Sequence, residues 1–141
     1  LGFVQRKSAP VSWNTLDDLG GYTIGTVQDY VNTQAFDQRV SDGRIAVQTV
    51  IADRQNVLKV AAGRVPLAVI DKNVLDYLLL NDQPLRKVAD RLEFNPRLLA
   101  EKQLYLCFRK GPEGERLVKI FNAGLEKTDI AAIISDYLRG Q

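Results

Sequence analysis

Hydrophobic and polar positions alternate along the first half of the chain in blocks that predict a succession of strands and helices. Four short apolar runs have the length and side-chain types of strands. They are residues 1–6, 22–27, 44–51 and 65–70. Three other segments, which are more polar than these runs, carry apolar residues at helical spacing. They are residues 32–40, 53–61 and 73–80.

The ends of these predicted helices carry residues that suit them. Gly43 and Gly63 stand where the first two helices should end, and Asp53 and Asn73 can cap the starts of the second and third. Strands that alternate with helices of roughly ten residues are typical of α/β proteins. We therefore predict an α/β fold with a mostly parallel sheet and helices on both faces.

The pattern changes after residue 81. Residues 86–94 have apolar positions compatible with a strand, and residues 103–109 form a clearer apolar run that predicts another. Two helices follow, at residues 113–126 and from residue 128 or 129 onward. The last helix has an apolar stripe at i, i+3, i+4, i+7 and i+8 spacing. The stripe consists of Ile130, Ile133, Ile134, Tyr137 and Leu138.

Composition narrows the functional classes. The 141 residues are 45% hydrophobic and 26% charged, with a formal net charge of +2. This charge is too small to indicate nucleic acid or a membrane surface as a partner. Without histidine, the chain cannot form a Ser-His-Asp or Cys-His catalytic site or a histidine-containing metal site. We expect no enzyme activity, no metal and no cofactor.

Two further features concern single residue types. The lone cysteine, Cys107, lies in an apolar run, so we expect it to be buried and structural. The sequence contains no methionine and opens within a predicted strand, so we expect a fragment or a processed chain.

The loop after the second predicted strand is the first candidate binding segment. It contains Gln28, Asp29, Tyr30, Val31 and Asn32. In an open parallel sheet, ligands bind at the carboxyl ends of strands, where such loops lie. The first-turn N–H groups of the following helix favour an anionic group such as a carboxylate. The alternative is that Asp29 or Asn32 only caps that helix.

Asp71 is the second candidate. It follows the apolar run at residues 65–70, where a carboxylate can meet a cationic group of a ligand. The alternative is that Asp71 caps the helix that begins near Asn73.

Two stretches of the chain carry motifs in a specific order. In residues 13–27, the sequence from Asp18 to Gly25 fits the pattern Asp-Leu-x-Gly-x-x-Ile-Gly. Residues 56–71 run from a helix through Gly63 and Arg64 to a strand that ends at Asp71. These stretches resemble the bacterial extracellular solute-binding proteins, family 3, in the segment that opens their second lobe and in the one that ends at an aspartate. Residues 104–110 and 121–137 are similar to that family's last strand and closing helices.

The resemblance implies a periplasmic-binding-protein type II-like lobe followed by two C-terminal helices. It implies that residues 1–110 form the second lobe of a bilobal fold, with residues 1–7 and 103–110 as strands near the hinge. Residues 111–141 would form helices that pack on the first lobe, which is missing from this sequence, or on a second chain.

The resemblance also implies a role for each candidate residue. Asp71 would bind the ammonium group of a ligand, and Tyr30, Val31 and Asn32 would lie in the turn that faces its carboxylate. The family commonly has glycine and then serine or threonine in that turn, where this chain has Asp29 and, near the hydroxyl position, Val31. Because a carboxylate repels another, Asp29 leaves open a ligand other than a simple α-amino acid.

The function that the resemblance implies is extracytoplasmic, periplasmic binding of an amino acid or related small polar solute. The partner would be the permease of an ABC transporter, to which the solute is delivered. One alternative is the ligand-sensing region of a membrane signalling receptor. Another is a dehydratase-like enzyme with the same fold.

Overall fold

The computed structural model describes residues 1–139 of the protein. The chain divides into two compact units, Leu1–Glu101 and Lys102–Gln141. The first unit contains a five-stranded sheet with its helices, and the second contains two helices.

The strands and helices of the first unit follow the apolar pattern closely. The strands are β1 (Gly2–Arg6), β2 (Thr23–Val27), β3 (Ala46–Val50), β4 (Leu67–Ile70) and β5 (Leu92–Phe94). The α-helices are α1 (Gln34–Ser41), α2 (Asp53–Ala61), α3 (Lys72–Asn81) and α4 (Gln83–Arg86). Short 3₁₀ helices lie at Leu16–Gly21 and Ala89–Arg91.

Local capping explains where the helices begin and end. Thr33 precedes α1, and its hydroxyl accepts a hydrogen bond from the Phe36 N–H at 3.1 Å. Gly43 and Gly63 follow α1 and α2 with φ of +71° and +72°, which confirms the predicted stops. Asp53 is the first residue of α2 and not its cap, because Ala52 occupies the capping position.

The sheet has the strand order β3-β2-β4-β1-β5. Strand β2 pairs in parallel with β3 and β4, whereas β1 pairs antiparallel with β4 and β5. Four of the five strands therefore run in one direction, which confirms the predicted α/β fold with a mostly parallel sheet. The carboxyl ends of β2, β3 and β4 consequently lie along one edge of the sheet.

Each face of the sheet is covered by its own hydrophobic cluster. Leu67 and Val69 of β4 belong to one cluster, together with Phe36 of α1. Ala68 and Ile70 point to the other face and pack with side chains of α2 and α3. A strand buried on both faces has a continuous apolar sequence, and this is why residues 67–70 lack polar alternation. The predicted helical cover on both faces is confirmed.

The strand predicted at residues 86–94 is correct only in its last three residues. Asp82 accepts a hydrogen bond from the Leu85 N–H at 3.1 Å, and Pro84 stands in the first turn. Both residues favour a helix start, so α4 takes up residues 83–86. The 3₁₀ helix then leads into β5.

The strand predicted at residues 103–109, near the hinge, is wrong. The segment has no strand within the described part of the chain, although its residues are apolar. A strand needs a neighbour to satisfy its backbone hydrogen bonds, and the five-stranded sheet does not extend to this segment. Leu104 and Tyr105 are 99% and 78% exposed. Cys107 is also exposed, which corrects the expectation of a buried cysteine.

The second unit consists of α5 (Pro112–Leu125) and α6 (Ile130–Arg139), which confirms the two predicted terminal helices. The Asp129 carboxylate accepts a hydrogen bond from the Ala132 N–H at 2.9 Å and so caps α6. Ile133 and Tyr137 of the predicted stripe are exposed. That this stripe packs on a first lobe or a second chain stays a prediction. Among the described residues, no helix is long and apolar enough to cross a membrane.

Candidate ligand-binding site

Three segments meet the carboxyl edge of the parallel strands. The loop at residues 28–32 follows β2, Asp53 comes shortly after β3, and Asp71 follows β4 directly. The register pairs Val27 with Val50, so β2 and β3 end at the same level. The sheet therefore gathers the two sequence-predicted candidates, the loop and Asp71, on one edge, together with a third residue, Asp53.

The loop after β2 is a tight turn held by backbone hydrogen bonds. The Gln28 N–H donates to the Val50 carbonyl at 2.8 Å, and the Tyr30 N–H donates to the Val27 carbonyl at 3.3 Å. Asp29 has a φ of +62°, in the left-handed region that glycine adopts freely. This conformation gives a physical reason for glycine at the equivalent position of the family that the sequence resembles. Aspartate is among the residues that tolerate it.

The rest of the loop combines an exposed part with a buried anchor. Tyr30 and Val31 are 60% and 78% exposed. Asn32 is buried, and its backbone and side-chain N–H groups donate to the Asp37 carboxylate at 3.0 and 2.9 Å. The cap of α1 is Thr33, so neither Asp29 nor Asn32 has that role. The Asp37 carboxylate thus already accepts the backbone N–H and one side-chain N–H of Asn32.

Asp71 is both a helix cap and a partly exposed carboxylate. Its Oδ1 accepts hydrogen bonds from the Asn73 N–H at 2.8 Å and from the Val74 N–H at 3.4 Å. Its Oδ2 lies 4.0 Å from the amino group of Leu1, and 47% of the side chain is exposed. The capping bonds fix the carboxylate at the end of β4 while leaving part of it accessible.

Asp53 is a further residue at this edge of the sheet, and the sequence pattern indicated it only as a possible cap. It is partly buried at the first position of α2. Burial raises the pKa of the Asp53 carboxyl above its usual value, and the negative charge of nearby Asp71 adds to the increase. The sequence signal that could have indicated Asp53 was its position. Asp53 begins a helix shortly after a parallel strand, and Asp71 likewise stands between a parallel strand and a helix.

We expect Asp53→Asn to stabilise the protein at about pH 7. A carboxyl with a raised folded-state pKa disfavours its ionised form in the fold. The resulting destabilisation of the fold is present above that pKa. It disappears as the pH falls below the pKa that the same carboxyl has in the unfolded chain. Urea denaturation at acidic and neutral pH should show that Asp53→Asn increases the free energy of unfolding, and that this increase becomes smaller as the pH falls. An Asp53→Asn protein that is less stable near neutral pH would contradict this.

A cavity of about 400 Å³ lies on the α1 side of β2 and β3. Four of the predicted site residues, Gln28, Asp29, Tyr30 and Asn32, line it, whereas Val31 and Asp71 do not. The hydroxyls of Thr26 and Thr49 are 3.2 Å apart at this cavity. The remaining lining residues are Val27, Phe36, Asp37, Val40 and Val47. No group of three or more metal-binding side chains occurs among the described residues.

Comparison with known proteins identifies the fold. No family model matches the sequence, and no curated protein matches it. The chain is similar to an ancestral arginine-binding protein bound to arginine, with a TM-score of 0.63 and 21% identity over 96% of this chain and 58% of that one. It is also similar to the second substrate-binding domain of a putative amino acid ABC transporter from Streptococcus pneumoniae. The TM-score is 0.63, with 18% identity over 97% and 58% of the chains.

A third similar structure is an arginine transport system periplasmic binding protein from Legionella pneumophila. Its TM-score is 0.54, with 17% identity over 99% of this chain and 59% of that one. The chain has the fold of a solute-binding protein. The predicted type II-like solute-binding fold is therefore confirmed. The chain spans slightly less than three fifths of each of these three structures. All three are named as binding proteins or domains and not as enzymes.

Proposed function

We propose that this chain is a lobe of an extracytoplasmic protein that binds an amino acid or a related small polar solute. The observation that carries the proposal is the partly exposed Asp71 carboxylate, fixed at the carboxyl edge of a solute-binding fold. Binding without chemical conversion accords with the binding proteins to which the chain is similar. A periplasmic location accords with the name of one of them.

The recognition step follows from the charges at this edge. An ammonium group of the ligand would lie beside Asp71, whose second oxygen is free of the helix-capping bonds. A cation there would also favour the ionised form of Asp53, whose pKa is raised by burial and by Asp71.

The other half of the binding cleft would come from a first lobe that is not among residues 1–141. The similar structures are longer than this chain, which spans at most 59% of their length. Closure of two lobes over a ligand excludes water and strengthens a charged contact at Asp71. The exposed apolar residues of α5 and α6 would then pack on that lobe or on a second chain. Transfer of the solute to an ABC transporter permease would follow.

The test is a pair of ligands that differ only in the ammonium group. Calorimetry on the complete two-lobed protein would compare an amino acid that binds with its analogue lacking the α-amino group. We expect the analogue to bind at least about tenfold more weakly, because a hydrogen bond to a charged group contributes about 1.5–3 kcal/mol. Equal affinities would remove ammonium recognition from the proposal. An amino acid lacking only the carboxylate is the control for the opposite end of the ligand.

A further inference from the structure

We propose that the amino edge of the sheet, opposite the edge that carries Asp71, binds the surface of a membrane that contains anionic lipids. This surface, which we call the basic edge, is formed by six residues. They are Arg6, Lys7, Arg64, Arg86, Lys87 and Arg91. The inference goes beyond the proposed function, because it concerns a surface that does not touch the ligand.

The strand order brings the basic residues together. Arg6 ends β1 and Lys7 follows it, while Arg64 stands shortly before β4 and Arg91 directly before β5. Because β1 lies between β4 and β5 and runs antiparallel to both, these three strand ends lie along one edge. Neighbouring strands are about 4.8 Å apart. The strand ends are therefore within about 10 Å of one another, one Debye length at 0.1 M salt, and their charges act together.

Contacts in the structure join these segments. The Lys7 N–H donates a hydrogen bond to the Arg91 carbonyl at 2.9 Å. The Arg6 guanidinium lies against Gly63, where an added Cβ would be 2.8 Å from Nη1. Arg64 is the next residue after this glycine. The residues of β1, β4 and β5 that carry the charges are thus neighbours in the fold.

The charge of the basic edge is not neutralised within the chain. Residues 6–10, 63–66 and 86–91 contain six basic residues and one acidic residue, Asp90, and so have a net charge of +5. The whole chain has +2, which leaves −3 for all other residues. None of the six basic side chains forms an ion pair within residues 1–139. The small net charge of the chain therefore conceals a strongly basic surface.

Exposure makes this charge available to a partner. Five of the six basic residues are exposed, and Arg6 is half-buried. The buried Nε of Arg6 has no hydrogen-bond partner among the described residues. An anionic surface beside the guanidinium would offset part of the cost of this burial.

The make-up of the basic edge favours a bilayer over a protein partner. Residues 6–10, 63–66 and 86–91 expose no large hydrophobic side chain. Protein interfaces usually have an apolar centre, whereas an anionic bilayer attracts lysine and arginine by charge alone. A surface that is basic without being apolar therefore suits lipid headgroups.

Docking through the basic edge would leave the ligand site accessible. The loop at residues 28–32, Asp53 and Asp71 lie at the carboxyl ends of the parallel strands, on the other side of the sheet from Arg64 and Arg91. An anionic membrane would repel the carboxylates at that edge. Attraction at one edge and repulsion at the other favour a single orientation, with the ligand edge turned away from the lipid.

The experiment is co-sedimentation of the complete protein with lipid vesicles. We expect binding to vesicles of equal parts phosphatidylglycerol and phosphatidylcholine, and none to vesicles of phosphatidylcholine alone. Binding should disappear at about 1 M salt, where the Debye length falls to about 3 Å. Absence of binding to the anionic vesicles, equal binding to both kinds, or binding that survives high salt would overturn the proposal. Binding to soluble polyglutamate but not to vesicles would indicate an acidic protein as the partner and would overturn it as well.

The double variant Lys7→Gln, Arg91→Gln tests the basic edge itself, and both residues are exposed. We expect its affinity for the anionic vesicles to fall at least about tenfold, since each basic residue near such a surface contributes about fivefold. Arg54→Gln, Lys72→Gln is the control, with the same loss of charge at exposed positions beside the ligand edge. It should keep the affinity. An equal loss in both double variants would show a general effect of charge and reject the basic edge as the binding surface.

Discussion

Asp71→Asn is expected to weaken the binding of an ammonium ligand about tenfold or more. The substitution removes the negative charge but keeps an oxygen in the place of Oδ1, which accepts the Asn73 N–H at 2.8 Å. Asparagine and aspartate are similarly good helix caps. The loss of affinity should therefore occur without a comparable loss of stability. Calorimetry on the complete protein would measure the affinity, and urea denaturation would measure the stability.

Asp76→Asn is the matched control for this experiment. Asp76 is on the same helix, α3, and forms an ion pair with Lys72 at 2.6 Å on the surface. Its replacement changes the net charge equally, and surface ion pairs contribute little to stability. Unchanged affinity in Asp71→Asn would exclude Asp71 from the site. A large loss of affinity in Asp76→Asn as well would indicate a general charge effect.

Asn95→Leu is expected to lower the free energy of unfolding by about 3 kcal/mol or more. Asn95 is 2% exposed, just after β5. Its side-chain amide donates to Gln5 Oε1 at 2.7 Å and to the Val11 carbonyl at 2.8 Å. Its Oδ1 accepts from Trp13 Nε1 at 3.3 Å and from the Arg97 N–H at 3.0 Å. Leucine has a similar size but leaves these buried groups without this partner, at about 1–3 kcal/mol for each group left unsatisfied.

Urea denaturation followed by far-ultraviolet circular dichroism would measure this effect. Fluorescence of Trp13, the sole tryptophan, would report on the surroundings of Asn95 in the same experiment. Asn73→Leu is the control, because Asn73 is exposed on α3. A loss for Asn95→Leu within about 0.5 kcal/mol of the control, the range of ordinary surface substitutions, would contradict a structural role for this network.

Most of the sheet was predictable because its signals are local. The runs that became β1, β2, β3 and β4 are short and apolar, Thr33 and Asp71 cap α1 and α3, and Gly43 and Gly63 follow α1 and α2. The strand predicted at residues 103–109 failed because a strand also depends on a neighbour, which no local pattern reveals. The same applies to Cys107, whose apolar surroundings in the sequence did not bury it.

The candidate site was predictable in part. The loop at residues 28–32 and Asp71 were placed by the rule for ligands at the carboxyl ends of parallel strands. The interaction of Asp53 with Asp71 could not be predicted from the sequence, because it depends on the order of the strands in the sheet. The Asn95 network could not be predicted from the sequence either, since Asn95 bonds to residues 82 to 90 positions away.

The sequence by itself determined the fold class, the strand and helix succession and the presence of a carboxylate after β4. These follow from short-range periodicity and capping, which act within a few residues. Only the tertiary structure decided that Asp53 is partly buried, and near Asp71, which together raise its pKa. It also decided that Asp29 has a positive φ beside a cavity, and that Asn32 is already bound to Asp37. Each of these depends on strand order and on side chains brought together by packing, which the order of residues does not express.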